Sequence, residues 1–185
     1  MTTARSMTVP LAALAAGAVV SVLLGVYGAQ HDPTFEPVWT FGFDSMIAMK
    51  VYLSVVVGVL AVLQVLGGLA IYGRLGFRAP SWVVTAHRLS GSLAVLLSLP
   101  VAFHCLWSLG FATSDSPGRV LAHSVAGCAV YGALVVKVVA VRAHRAPGWL
   151  LPVAGGLLFS VIVVAVWTSA LWYLGEFGPP SGGGY

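Results

Sequence analysis

The chain has 185 residues, of which 59% are hydrophobic and only 8% charged, whereas a soluble domain carries roughly 25% charged residues. That deficit excludes an ordinary soluble domain and marks an integral membrane protein. The formal charge of +4 gives no reason to expect a nucleic-acid partner, because the basic residues are distributed as a topology signal.

Five apolar stretches reach the length of about 20 residues that a crossing requires. The first runs from Val9 to Gly28. Its apolar core exceeds the usual 7–15 residues of a signal peptide, and "VYGAQ" is a poor small-x-small cleavage site, so it is read as a membrane helix. The segment Ala29 to Asp44, "AQHDPTFEPVWTFGFD", is the longest connection. Its prolines and aromatics suggest an interfacial segment, with His31 a solvated residue. Helix two, Ser45 to Tyr72, carries Lys50 near its start. A short basic loop, "GRLGFRAP", leads to helix three, Ser81 to Leu109, which holds His87 near one end and His104 near the other. Helix four, Arg119 to Val141, opens with Arg119, His123 and Gly127 within its first turns. The basic link "RAHRAPG", with His144, precedes helix five, Gly148 to Leu174, and the tail "GPPSGGGY" is flexible by composition. The stretches lack the alternation of barrel strands. The expectation is an all-α, single-domain bundle of five transmembrane helices.

Arg5, Arg74, Arg78, Arg88, Lys137, Arg142 and Arg145 fall on one side of this arrangement, and only Lys50 and Arg119 on the other. The Lys/Arg bias therefore predicts a cytoplasmic N-terminus and an outside C-terminus, in what is expected to be a bacterial cytoplasmic membrane. Asp32, Glu36, Asp44, Asp115 and Glu176 all lie outside, which makes the outer face negative and suited to a basic redox protein or a partner subunit. Cys105 and Cys128 differ in expected depth by roughly 8 Å on helices about 8–10 Å apart. A disulfide needs Cα atoms within about 7 Å, so buried thiols are expected. Gly67, Gly68, Gly127, Gly132, Gly155 and Gly156 lie inside helices, where small residues let helices approach closely.

Ionisable groups inside a membrane are costly and usually functional. His104 is about five residues from the end of helix three and His123 about four from the start of helix four. On adjacent antiparallel helices, that spacing predicts two imidazoles at nearly equal depth. Two neutral imidazoles across an iron are what a bis-histidine haem needs. Gly127, one turn beyond His123, leaves a face without a side chain for a flat macrocycle. Arg119, one turn the other way, and Lys50 are candidates to pair with a propionate. The alternative is that His104 and His123 hydrogen-bond each other, or Ser108 and Ser124, without metal. A second haem is disfavoured: from His104 back to His87 is about 260° of helix and from His123 to His144 about 300°, so the inner side chains diverge when the outer pair meet.

His123-Ser124-x-x-Gly127 resembles the H-S-x-x-G element of the ascorbate-reducible transmembrane b-type cytochromes, in which that histidine is a haem ligand. His87-Arg88-x-Ser90-Gly91 resembles the H-R-x-S-G element of the cytochrome b anchor subunit of succinate dehydrogenase, in which the region lies toward the quinone site and a haem propionate. Together they cover about ten residues. Both imply haem b and electron transfer with quinone or ascorbate. The first family carries two histidine pairs over four helices, whereas helices two and five have none here. The reading is a membrane cytochrome b carrying electrons between membrane quinol and a partner at the outer face. His87, Arg88 and Ser90 would hold quinone or a propionate. The rival is a non-redox accessory subunit or small transporter whose histidines are structural or carry protons.

Overall fold

A computed structural model describes residues 2–76, 78–143 and 146–180. In the middle of a bilayer every backbone N–H and C=O must be paired within the protein, which long apolar segments achieve as helices. The helices are α1 (Thr2–Gln30), α2 (Met46–Ile71), α3 (Trp82–Trp107), α4 (Gly118–Arg142), α5 (Leu150–Val166) and α6 (Trp172–Phe177). Between α5 and α6 the chain widens into a π-turn, Trp167–Leu171. The run Leu150–Phe177 counts as one span, so five spans are long and apolar enough to cross a membrane, and no strand occurs among the described residues. The protein is an all-α integral membrane protein.

The helix ends follow local chemistry. The first helix begins at Thr2 rather than Val9 and runs through Pro10, which is fully buried. At the start of α2, the Ser45 hydroxyl accepts the Ala48 N–H at 3.1 Å, satisfying one of the amides that a helix start leaves open. At the end of α3, the Ser108 and Leu109 amides both turn back to the His104 carbonyl, at 3.1 and 3.0 Å. Gly110 follows with φ +76°, a left-handed conformation that glycine adopts without steric cost and that commonly ends helices. Helix α3 therefore stops two residues before the expected Leu109.

The chain divides into two compact units, residues 1–32 with 110–165, and 33–109 with 166–185. In the first, α1 packs closely on α4. A Cβ added to Gly17 would lie 2.6 Å from the Gly132 carbonyl oxygen and from Val136 Cγ2, so glycine alone fits at this crossing. Ser21 Oγ donates to the Cys128 carbonyl at 3.3 Å. Ala13, Val136 and Ala154 form an apolar cluster of buried residues in the same unit. The segment before α4 is tied down by Phe111 N–H to the Gly28 carbonyl at 3.2 Å and by Ala112 N–H to Ser124 Oγ at 3.2 Å.

In the second unit α2 packs on α3, and the π-turn lies against α2. Large apolar side chains such as Val59, Leu89 and Leu96 are left exposed on α2 and α3. Water would penalise such surface, and lipid accepts it. Helix α3 is also overlain by the segment that precedes α2. Thr34 N–H reaches the Trp107 carbonyl at 3.3 Å and Phe35 N–H the Ser108 carbonyl at 2.9 Å. The last carbonyls of a helix have no partner within it, and this segment supplies two.

Candidate functional site

His104, in the last turn of α3, is 0% exposed. Its Nδ1 lies 2.8 Å from the Pro100 carbonyl oxygen. Its Nε2 lies 3.3 Å from the Val38 backbone nitrogen. A carbonyl only accepts and a backbone amide only donates. Nδ1 therefore carries the hydrogen and donates to Pro100, while the Nε2 lone pair accepts from Val38. Trp39 stands edge-on to the imidazole, with ring centres 5.3 Å apart, and stacks on Phe103 at 4.7 Å. Ser108, one turn further, is also 0% exposed, and its hydroxyl has no hydrogen-bond partner among the described residues. The sequence-based alternative of a His104–Ser108 bond is thus replaced by two backbone partners.

His123, half-buried in the second turn of α4, belongs to the other unit. Its Nδ1 lies 3.1 Å from the Ala165 carbonyl oxygen, so this nitrogen also carries the hydrogen and Nε2 is the lone-pair position. Arg119 is the second residue of α4 and half-buried. Gly127 is half-buried, and a Cβ built on it would meet nothing within 4 Å. It is therefore not a packing glycine of the Gly17–Gly132 kind. Ser124 is occupied with the Ala112 amide.

His87, Ser90 and Arg88 lie on α3 with Lys50 on α2, all in the second unit. The first two share a polar cluster that the sequence reading missed, centred on Gln64 of α2. Gln64 Nε2 donates to the His87 carbonyl at 2.6 Å and to Ser90 Oγ at 2.8 Å. Ser90 Oγ in turn donates to the Ala86 carbonyl at 2.8 Å. Two glycines let the helices close on the cluster: a Cβ at Gly67 would lie 3.0 Å from His87 Nδ1, and one at Gly91 3.0 Å from Gln64 Oε1. Arg88 is exposed on the helix surface and outside this network, and Lys50 is half-buried in the first turns of α2. The available signal for Gln64 was an amide inside an otherwise apolar span, which is as unusual as a buried histidine.

His31 is stacked on Tyr27, with ring centres 5.3 Å apart and planes 10° off parallel. His144 and Arg145 lie outside the described residues. Cys105 is half-buried and Cys128 buried. Among the described residues no three His, Cys, Asp or Glu side chains converge on a common point. A haem brings its own four nitrogens and asks the protein for axial ligands only.

No curated protein and no solved structure matches the chain. The sequence profile of one family matches residues 7–181, nearly the full length, and the chain accordingly belongs to DUF6529, a family of unknown function.

Proposed function

We propose that the protein is a membrane electron carrier in which His104 and His123 would hold one b-type haem. Electrons would pass between membrane quinol and a redox partner at the outer face. The observation that carries this reading is the tautomer the two histidines share. Each donates Nδ1–H to a backbone carbonyl, Pro100 for His104 and Ala165 for His123. Metal-ligating histidines almost always donate their other ring N–H in this way, which fixes the ring and raises the basicity of the ligating nitrogen. The open face at Gly127 leaves room for a flat group on its helix, whereas at His104 the Val38 amide holds the Nε2 lone pair and would have to give way.

When bound, haem would supply one-electron iron chemistry whose potential depends on its ligands and their burial. The chain's own work would be to supply the two imidazoles, to exclude water at His104, and to offer Arg119 or Lys50 to a propionate. His87, Arg88 and Ser90 are proposed to hold quinone at the other end of α3, with Gln64 positioning His87 through its backbone carbonyl and Ser90 through its hydroxyl.

A second reading is favoured by one observation: both ring nitrogens of His104 have backbone partners, as in a structural histidine of a non-redox membrane subunit. The absorption spectrum of the protein purified in detergent, from cells amply supplied with haem, separates the two. A reducible low-spin b-type spectrum is expected. There is no C-x-x-C-H motif, so the haem should extract into acid acetone without covalent attachment. A colourless preparation would overturn the cytochrome reading.

A further inference from the structure

Residues 33–45, which precede α2 in the chain, form a strap pinned to the end of α3. Thr34 and Phe35 donate their amides to the Trp107 and Ser108 carbonyls at 3.3 and 2.9 Å, and Val38 donates to His104 Nε2 at 3.3 Å. Helix α3 has 26 residues, which is about 39 Å at 1.5 Å per residue. The hydrocarbon core of a bilayer is about 30 Å thick, and roughly 40–45 Å with its headgroups. A span of that length ends among headgroups, so a strap fastened to its last carbonyls lies at that level.

The aromatic side chains of the strap divide into two sets. Trp39 turns inward, stacked on Phe103 with ring centres 4.7 Å apart and edge-on to His104 at 5.3 Å. Phe43 stacks on Tyr52 of α2 at 6.0 Å. Phe35 and Phe41 turn outward and are 71% and 67% exposed, although Phe41 also meets the Trp39 ring edge-on at 6.1 Å. These two are the non-glycine residues of positive φ among the described residues, at 56° and 52°. Such a backbone is an outlier for a bulky side chain, and it persists only where its surroundings over-determine it. The backbone anchors hold the strap in place, but they do not call for an apolar ring at either position, and water would penalise both rings. Leu89 and Leu96 of α3, whose surroundings are lipid, are exposed to a similar degree.

We propose that Phe35 and Phe41 are membrane anchors whose rings enter the leaflet around this end of α3, with phospholipid as the partner that covers them. Glu36 and Asp44 are also exposed, and as carboxylates they stay on the aqueous side. The strap is then an interfacial segment with one apolar and one charged face. The anchors do not depend on the electron-carrier reading. They fix the depth of the strap, and so keep Val38 and Trp39 seated over His104.

The test places the photoreactive residue p-benzoylphenylalanine at position 35, 41 or, as a control, 36 of the full chain in liposomes of phosphatidylethanolamine and phosphatidylglycerol. After irradiation, intact-mass measurement is expected to show phospholipid adducts at 35 and 41, severalfold more than at 36. Absence of lipid adducts at 35 and 41, or equal yields at all three positions, overturns the proposal. An adduct with a second copy of the chain in place of lipid overturns it too. A second measurement follows hydrogen exchange of the peptide covering residues 34–40 in Phe35→Asn combined with Phe41→Asn. Asparagine tolerates positive φ better than phenylalanine does, so relief of strain alone would slow exchange or leave it unchanged. Loss of the anchors is expected to quicken it severalfold, with peptides of α4 unaffected, and exchange at or below the parent rate overturns the anchoring role.

Discussion

The sharpest tests concern single side chains. His104→Ala and His123→Ala should each abolish the low-spin haem spectrum, because one axial ligand cannot hold six-coordinate iron. His87→Ala should keep the spectrum, since that ring sits 17 residues away along the same helix, roughly 25 Å at 1.5 Å per residue. Loss of haem in His87→Ala with retention in His104→Ala would move the cofactor to the other end of α3. Gln64 provides a contrast in stability rather than colour. Its amide joins α2 to α3 through two donated bonds, and side-chain hydrogen bonds between membrane helices average about 0.6 kcal/mol and reach about 1.7 kcal/mol. Ser90 keeps its bond to Ala86 when Gln64 is removed. Gln64→Leu should therefore cost no more than about 2 kcal/mol in reversible unfolding in detergent, and a larger loss would mean that the cluster holds more than this helix pair.

At the scale of elements, the glycines fall into two kinds that look alike in sequence. Gly17 and Gly132 sit where the backbones of α1 and α4 meet. Gly132→Leu should destabilise the protein by about 1–3 kcal/mol or prevent folding, the usual cost of overfilling a packed contact. Gly127 faces open space within its unit, so Gly127→Leu should insert and melt as the parent does while losing haem. A Gly127→Leu variant that folds with full haem would show that the macrocycle lies elsewhere. The helices themselves were legible because apolar runs of spanning length have few alternatives in lipid, and the structure adds that Ser45, the expected first residue of helix two, caps α2. The start of α1 at Thr2, the π-turn at Trp167–Leu171 and the stop of α3 at Trp107 were not legible, since they depend on hydrogen-bond register within a helix. The candidate ligands could be read from isolated histidines in apolar sequence. Their partners could not, because Val38, Pro100 and Ala165 contribute backbone groups, which every residue possesses and no motif records.

The charges are spread unevenly along the sequence, and the topology they predict would decide which side of the membrane the proposed redox partner meets. If each of the five candidate spans crosses once, the two ends of the chain lie on opposite faces. The α2–α3 link contains Arg74 and Arg78, and α4 ends in Arg142, so both connections on that face are basic. On the opposite face this topology would put only Lys50 and Arg119 as basic residues, beside all five acidic residues of the chain. Basic loops stay in the cytoplasm, and acidic residues contribute little to the choice. A phosphatase reporter fused after Tyr185 should therefore be active outside the cytoplasm, and a fluorescent reporter that matures only in the cytoplasm should be dark at the same position. Replacing Arg74 and Arg78 together with glutamine should weaken that preference, because short flanking loops are where the bias acts. Cytoplasmic activity of the phosphatase's opposite, the fluorescent fusion, would put His104 and His123 near the inner face instead. The acidic surface would then meet cytoplasmic proteins, and a basic partner outside the cell would be excluded.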